Sequence, residues 1–189
     1  MSFNVLVIPE DPIHNGAILK PLVLRMLEAC GRPKARVTVL ENPRARGFEH
    51  ARLILVNEVF DRYEHFNLML FLPDADGKDR GDMFADLERQ ARAKFVNLLC
   101  CAAEQEVEAW LLAGHADKLD RGWTEIRADA SVKENVFETF LRTYGDPRRP
   151  GGGRDLLMQE TLQNYDGLLR RCPELRKLQD RIKEEVFRS

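Results

Sequence analysis

Four short apolar runs set the limits on what this chain can become: Phe3–Ile8 (FNVLVI), Arg36–Leu40 (RVTVL), Asn67–Leu72 (NLMLFL) and Phe95–Ala102 (FVNLLCCA). The first, third and fourth are almost continuously apolar, as strands buried on both faces read, and the second alternates. Between and after them lie stretches with apolar residues at helical spacing. Ala17–Ala29 closes at Gly31, a suitable C-cap. Ala45–His65 places Phe48, Leu53, Val56 and Phe60 near one face, and Asp82–Lys94 and Glu104–Ala113 follow. Pro21 predicts that the first helix proper begins close to it, because proline is tolerated in a first turn. The order β-α-β-α-β-α-β-α predicts an α/β protein: a Rossmann-like, mainly parallel four-stranded sheet flanked by helices.

Residues 1–122 account for that core. Residues 123–189 read as a helical C-terminal extension packed on it, the whole forming one structural unit. The extension holds a helix over Val132–Tyr144, the loop GDPRRPGGGR (Gly145–Arg154), and a charged helical stretch Leu156–Ser189 interrupted at Cys172-Pro173. With 189 residues, 44% hydrophobic and 32% charged, the chain can bury a sizeable core under a mixed-charge surface. Its net charge of −2 gives no general support to nucleic-acid coating, so any phosphate contact must come from a local patch. The N-terminal MSFNVLVIPEDP lacks a basic leader, and no segment approaches the ~20 apolar residues of a membrane span. A cytoplasmic protein without a membrane partner is the expectation. Cys30, Cys100, Cys101 and Cys172 form no CxxC pair and read as free thiols.

In parallel sheets the working residues gather beyond the carboxyl ends of the strands. Three of the four strand ends here carry acids: Glu10 after the first, Asp74 and Asp76 after the third, and Glu104 and Glu106 after the fourth, with Glu108 following in the same run. Asp74-Ala75-Asp76-Gly77 can aim two carboxylates at one hard cation while Gly77 turns the chain behind them. The same four residues also suit a plain turn. Glu10 could act as a third ligand or as a general acid/base, or it could simply favour the N-terminus of the first helix. Glu104 and Glu108 are spaced to share a helix face, and a solvated first helical turn is the competing reading of that trio. Trp110, Leu111 and Leu112 read as core anchors.

Other constellations are weaker. His14, His50, His65 and His115 have no metal-ligand spacing; His14, close to Glu10, could assist at the site, an exposed loop histidine being the competing reading. There is no GxGxxG, P-loop or GxSxG motif. Arg142, Arg148, Arg149 and Arg154 around the glycine-rich loop form the one patch that could contact phosphates, a solubilising loop being the alternative.

The glutamate after the first strand, the DxD after the third and the acidic run after the fourth resemble the TOPRIM fold. That fold is shared by topoisomerases, DnaG-type primases and nucleases of the overcoming-lysogenization-defect class. A closer resemblance is to small prokaryotic TOPRIM-like proteins encoded beside ATPases. It rests on Gln105-Glu106-Val107-Glu108-Ala109-Trp110, Tyr165 and Cys172-Pro173. The resemblance implies a TOPRIM-type sheet, Glu10 as acid/base or metal-linked glutamate, Asp74 and Asp76 as Mg2+ (or Mn2+) ligands, and Glu106 or Glu108 as further site acids. Pro9-Glu10-Asp11-Pro12 departs from the family's glycine after the glutamate.

The resulting expectation is a Mg2+-dependent phosphodiesterase or nuclease, with nucleic acid contacted by Arg148, Arg149 and Arg154, in a prokaryotic defence or DNA-repair setting. The rival expectation is a non-catalytic module binding a neighbouring ATPase through its C-terminal third; a homo-oligomer is a separate partner expectation. A receiver-like signalling domain is the third; it lacks a lysine after a later strand to accompany an acceptor aspartate.

Overall fold

The computed structural model describes residues 3–188. The four apolar runs become β1 (Asn4–Ile8), β2 (Arg36–Val39), β3 (Leu68–Phe71) and β4 (Leu98–Cys100). They form one sheet in the order β2-β1-β3-β4, with every neighbouring pair parallel. Successive side chains on a strand point to opposite faces, and the core divides accordingly. Val5, Val7, Leu68 and Leu70 belong to one apolar layer, and Leu6, Ile8, Met69 and Phe71 to the other. The first layer is covered by α1 (His14–Ala29), the second by α2 (Phe48–Ile54), α3 (Phe60–Arg62) and α4 (Gly81–Ala93).

The remaining helices, α5 (Glu108–Leu112), α6 (Trp123–Ala128), α7 (Glu138–Tyr144), α8 (Arg154–Leu162), α9 (Tyr165–Arg171) and α10 (Pro173–Arg188), extend the layer that α1 begins. Phe137, Leu157, Leu168, Leu175 and Ile182 are buried in the same cluster as Val5 and Val7, so the C-terminal third shares one core with the sheet. The expected break at Cys172-Pro173 separates α9 from α10, and Ser189 of the expected last helix lies outside the described residues.

Three local outcomes differ from the sequence pattern. Helix α1 starts at His14 and carries Pro21 in its interior. A mid-helix proline costs roughly 3 kcal/mol. Burial of Ile18, Leu19, Leu22, Val23, Met26 and Leu27 offsets this, each such side chain being worth about 1.5–3 kcal/mol. The fourth strand begins at Leu98 rather than Phe95. Val96 N donates to Ala91 O and Phe95 adopts φ 59°, the left-handed C-cap geometry usually given to glycine. The helix after β4 begins only at Glu108, because Ala103–Gln105 instead zips against the chain leaving β3. π-helical turns also interrupt two helical stretches, at Leu55–Val59 and Lys133–Phe137.

Candidate metal centre

The order β2-β1-β3-β4 places the reversal of winding between β1 and β3, and ligands of open α/β sheets bind in the crevice outside the strand ends at such a point. Glu10 leaves β1 and Asp74 leaves β3 at this crevice. The Asp74 amide donates to Glu10 Oε1 at 3.0 Å, tying the two exits together. Asp74 Oδ1 in turn accepts from the Val107 amide at 2.7 Å, which brings in the segment after β4. Backbone bonds complete the frame: Ala75 N to Ala103 O at 3.0 Å, Asp76 N to Gln105 O at 3.1 Å and Gly77 N to Glu104 O at 2.9 Å. Asp76 and Gly77 both take positive φ, 51° and 66°, which aspartate and glycine tolerate better than other residues.

The acids fare differently around this frame. Glu108 is 0% exposed, and neither of its carboxylate oxygens has a hydrogen-bond partner. Lys133 Nζ stands 3.3 Å from Glu108 Oε1, close enough for an ion pair but without hydrogen-bond geometry. Glu106 Oε2 accepts from the Lys133 amide at 2.9 Å. Asp76 is exposed and faces Arg80 at 3.6 Å. Glu104 turns away to Arg127 Nε at 2.7 Å. That arginine also holds Glu174, whose other oxygen accepts from Trp110 Nε1 at 2.8 Å. The helix-face pairing expected for Glu104 and Glu108 therefore does not form. Glu108 is buried, contrary to the solvated-turn reading, because α5 starts at Glu108 itself with every residue to Leu112 in the core.

Electrostatics follow from this crowding. Burial, followed by Glu108 and Glu10, pushes the Asp74 carboxyl up to about 8. Burial, with Asp76 adding to it, pushes Glu10 up to about 7. Burial and Glu108 also raise Glu106. Burial alone would lower the Lys133 ammonium, but Glu108, Glu106 and Asp74 raise it overall. Desolvation is the leading cause for all three carboxyls, and neighbouring acids add to it.

Asp11, not Glu10, decorates the start of α1. Its Oδ1 accepts from the Ile13 and His14 amides at 2.9 and 3.2 Å, and its Oδ2 lies 2.8 Å from His14 Nδ1. This leaves Glu10 free to face β3 and occupies His14 away from the crevice. His115 is a buried histidine satisfied by Leu157 O at 3.0 Å. The four cysteines are free thiols, Cys101 half-buried and the others buried.

The arginines of the glycine-rich loop are engaged within the protein. Arg148 pairs with Asp146 at 2.9 Å and Arg149 with Asp155 at 2.6 Å. Arg154 is only 8% exposed, donates to Gly151 O at 2.8 Å and lies over the Phe137 ring, with its Nε unpartnered. Burial lowers the Arg154 pKa, while the charges of Glu108 and Asp11 act in the other direction. It is thus a buried arginine held against Phe137, not a surface group.

The site also contains residues that sequence reasoning passed over. Lys133 comes from a π-helical turn far along the chain, with no local motif to mark it. Arg80 lay four residues after Asp76, a spacing that does signal a charge pair on a helical turn.

The donor set is all oxygen, the kind that hard divalent cations prefer, and the Glu108 oxygens have no hydrogen bond, only the ion pair with Lys133. As the side chains stand, no group of three or more His, Cys, Asp or Glu among the described residues is close enough to hold a metal ion. A cation would therefore have to draw the carboxylates together. No family model, curated protein or solved structure matches this chain.

Proposed function

We propose that this protein is a divalent-cation-dependent phosphodiesterase of the TOPRIM type acting on nucleic acid, with Asp74, Glu10 and Glu108 as the principal ligand carboxylates. The observation that carries the reading is Glu108: a fully buried carboxylate with no hydrogen bond to either oxygen, whose charge adds to burial in holding the neighbouring Asp74 carboxyl up at about 8. A buried carboxylate held by a single ion pair to Lys133 and by no hydrogen bond is costly, and such groups cluster where a function requires them. Asp76, exposed on the same loop, and Glu106 would serve from the rim.

A bound Mg2+ or Mn2+ would supply Lewis-acid polarisation of a phosphoryl oxygen and a more acidic water. The residues of the chain divide the remaining work. Glu10, at the exit of β1, would help hold the cation or move a proton at a reacting oxygen. The Asp74 amide fixes where that carboxyl points. Lys133 balances Glu108 and Glu106 from the rear, and the zipped loops hold the frame rigid.

The test is cleavage of end-labelled DNA and RNA in Mg2+ or Mn2+ by the wild type and by the Asp74→Asn, Asp76→Asn double variant. Cutting by the wild type and at least a hundredfold loss in the variant is the expected result. A wild type that leaves every substrate intact, or a variant that cuts equally well, overturns the reading. The rival partner-module reading draws no support from α10: its apolar residues Leu175, Leu178, Ile182 and Val186 are already buried in the protein's own core.

A further inference from the structure

Beside the crevice, a cleft of about 480 Å3 runs between the loop leaving β3 and the first half of α10. Its basic lining residues are Lys78 and Arg80 from the loop, and Lys177 and Arg181 from the helix. On α10 the lining positions Glu174, Lys177, Leu178 and Arg181 follow helical spacing, so one face of the helix forms the wall. The two acids of the lining are already committed. Glu174 accepts from Arg127 and Trp110, and Asp79 Oδ1 accepts from the Gly81 amide. Lys78 and Lys177 are exposed, and neither ammonium has a partner among the described residues. Arg181 is partly spent on Glu88 at 2.7 Å and on Cys100 O at 3.2 Å.

Arg80 joins this cleft to the acid cluster. Its guanidinium lies over the Phe48 ring, 3.9 Å from the centroid, with Nε buried and unpartnered, and its charge acts on both Asp76 and Glu10. One aromatic ring, Phe84, also lines the cleft, held edge-on by Phe71.

We infer that this cleft seats the backbone of a single-stranded nucleic acid and leads one phosphodiester toward the Asp74–Glu10 crevice, Lys78 and Lys177 contacting phosphates and Phe84 offering a stacking face. The inference rests on the function proposed above and names its substrate class. Proteins that bind single strands combine a basic groove with aromatic platforms. The size of the cleft matches a site for a small molecule or a few linked units, within the usual ~300–1,000 Å3. A duplex major groove is ~12 Å wide and needs a protruding element to fill it, whereas this feature is concave.

The experiment measures binding of a fluorescein-labelled single-stranded oligonucleotide by anisotropy across a salt series, in Ca2+ to suppress cleavage. The proteins are the wild type, the Lys78→Ala, Lys177→Ala double variant, and the Asp74→Asn, Asp76→Asn variant. Each lost phosphate contact removes about 0.7 from the salt-dependence slope for single strands, so the lysine variant is expected to lose about 1.4 and to bind at least tenfold more weakly. Duplex of the same sequence and an oligoglutamate peptide serve as competitors, and both are expected to compete poorly. An unchanged slope, or equal competition by duplex or peptide, overturns the inference. The two readings separate cleanly. A lysine variant that binds as the wild type does, while cleavage still depends on Asp74 and Asp76, removes the cleft and keeps the phosphodiesterase. Lysine-dependent binding by a wild type that never cuts does the reverse.

Discussion

Replacing Asp74 by asparagine isolates the charge on which the site depends. The substitution keeps Oδ1, so the bond from the Val107 amide at 2.7 Å survives, and it adds an N–H facing acids that repel the native carboxylate. The folded carboxyl titrates at about 8, against ~3.9 in an unfolded chain. Because the folded pKa is the higher one, the native state binds this proton more tightly. The stability it contributes is fully present below the unfolded pKa and is lost as pH rises through the folded one. At full strength the loss is about 6 kcal/mol. Half of it or more falls between pH 5.5 and pH 8.5. Contact with water and sharing of the proton with Glu10 and Glu108 reduce the change over that interval to about 2 kcal/mol. Asp74→Asn lacks this loss. In EDTA, its melting temperature relative to the wild type should therefore rise by ~4–8 °C between pH 5.5 and pH 8.5, at ~2–4 °C per kcal/mol for a chain of this size. Thermal unfolding followed by circular dichroism at the two pH values measures it. Saturating Mn2+ at pH 8.5 should then raise the melting temperature of the wild type and leave the variant where it was. A variant destabilised by the same amount at both pH values would refute the reasoning, since Asp74 would then be an ordinary, well-solvated carboxylate.

Further outcomes follow from the same geometry. Lys133→Met leaves Glu108 buried without its counter-ion and should cost about 3–5 kcal/mol in urea unfolding. Adding Glu108→Gln should return most of that loss, and additive losses in the double variant would deny the pairing. Phe95→Gly removes a left-handed, 97% exposed phenylalanine and should stabilise the protein by about 1 kcal/mol, read as a higher urea midpoint at unchanged slope. Gly114→Ala would drive a methyl group into the Cα and Cβ of Thr161, where the tight turn Ala113–Lys118 meets α8, and should cost about 1–3 kcal/mol. An unchanged melting temperature would contradict that packing.

How much of this was legible in the sequence depends on the range of the interaction. Strand identity rests on local composition, so FNVLVI, RVTVL, NLMLFL and FVNLLCCA were readable, and so was the gathering of Glu10 and Asp74 beyond parallel strand ends. The ends of elements were less legible. Pro21 sits inside a helix and Phe95 inside a cap because distant core contacts outweigh local preference. Choosing among the acids was beyond local reading. Glu104, Glu106 and Glu108 alternate along one short segment, yet one pairs with Arg127, one caps the Lys133 amide and one is buried beside its ammonium.

Sequence by itself thus determined the layered parallel sheet and the presence of acids at its working edge, since periodicity and strand-end position are properties of neighbouring residues. Tertiary structure alone decided which carboxylates are desolvated and which basic groups answer them. Lys133 reaches the crevice from the C-terminal third, brought there by a core that binds Phe137, Leu157 and Val7 into one cluster. Charge-pair energies depend on distance in space and on burial, and neither is written in the spacing of residues along the chain.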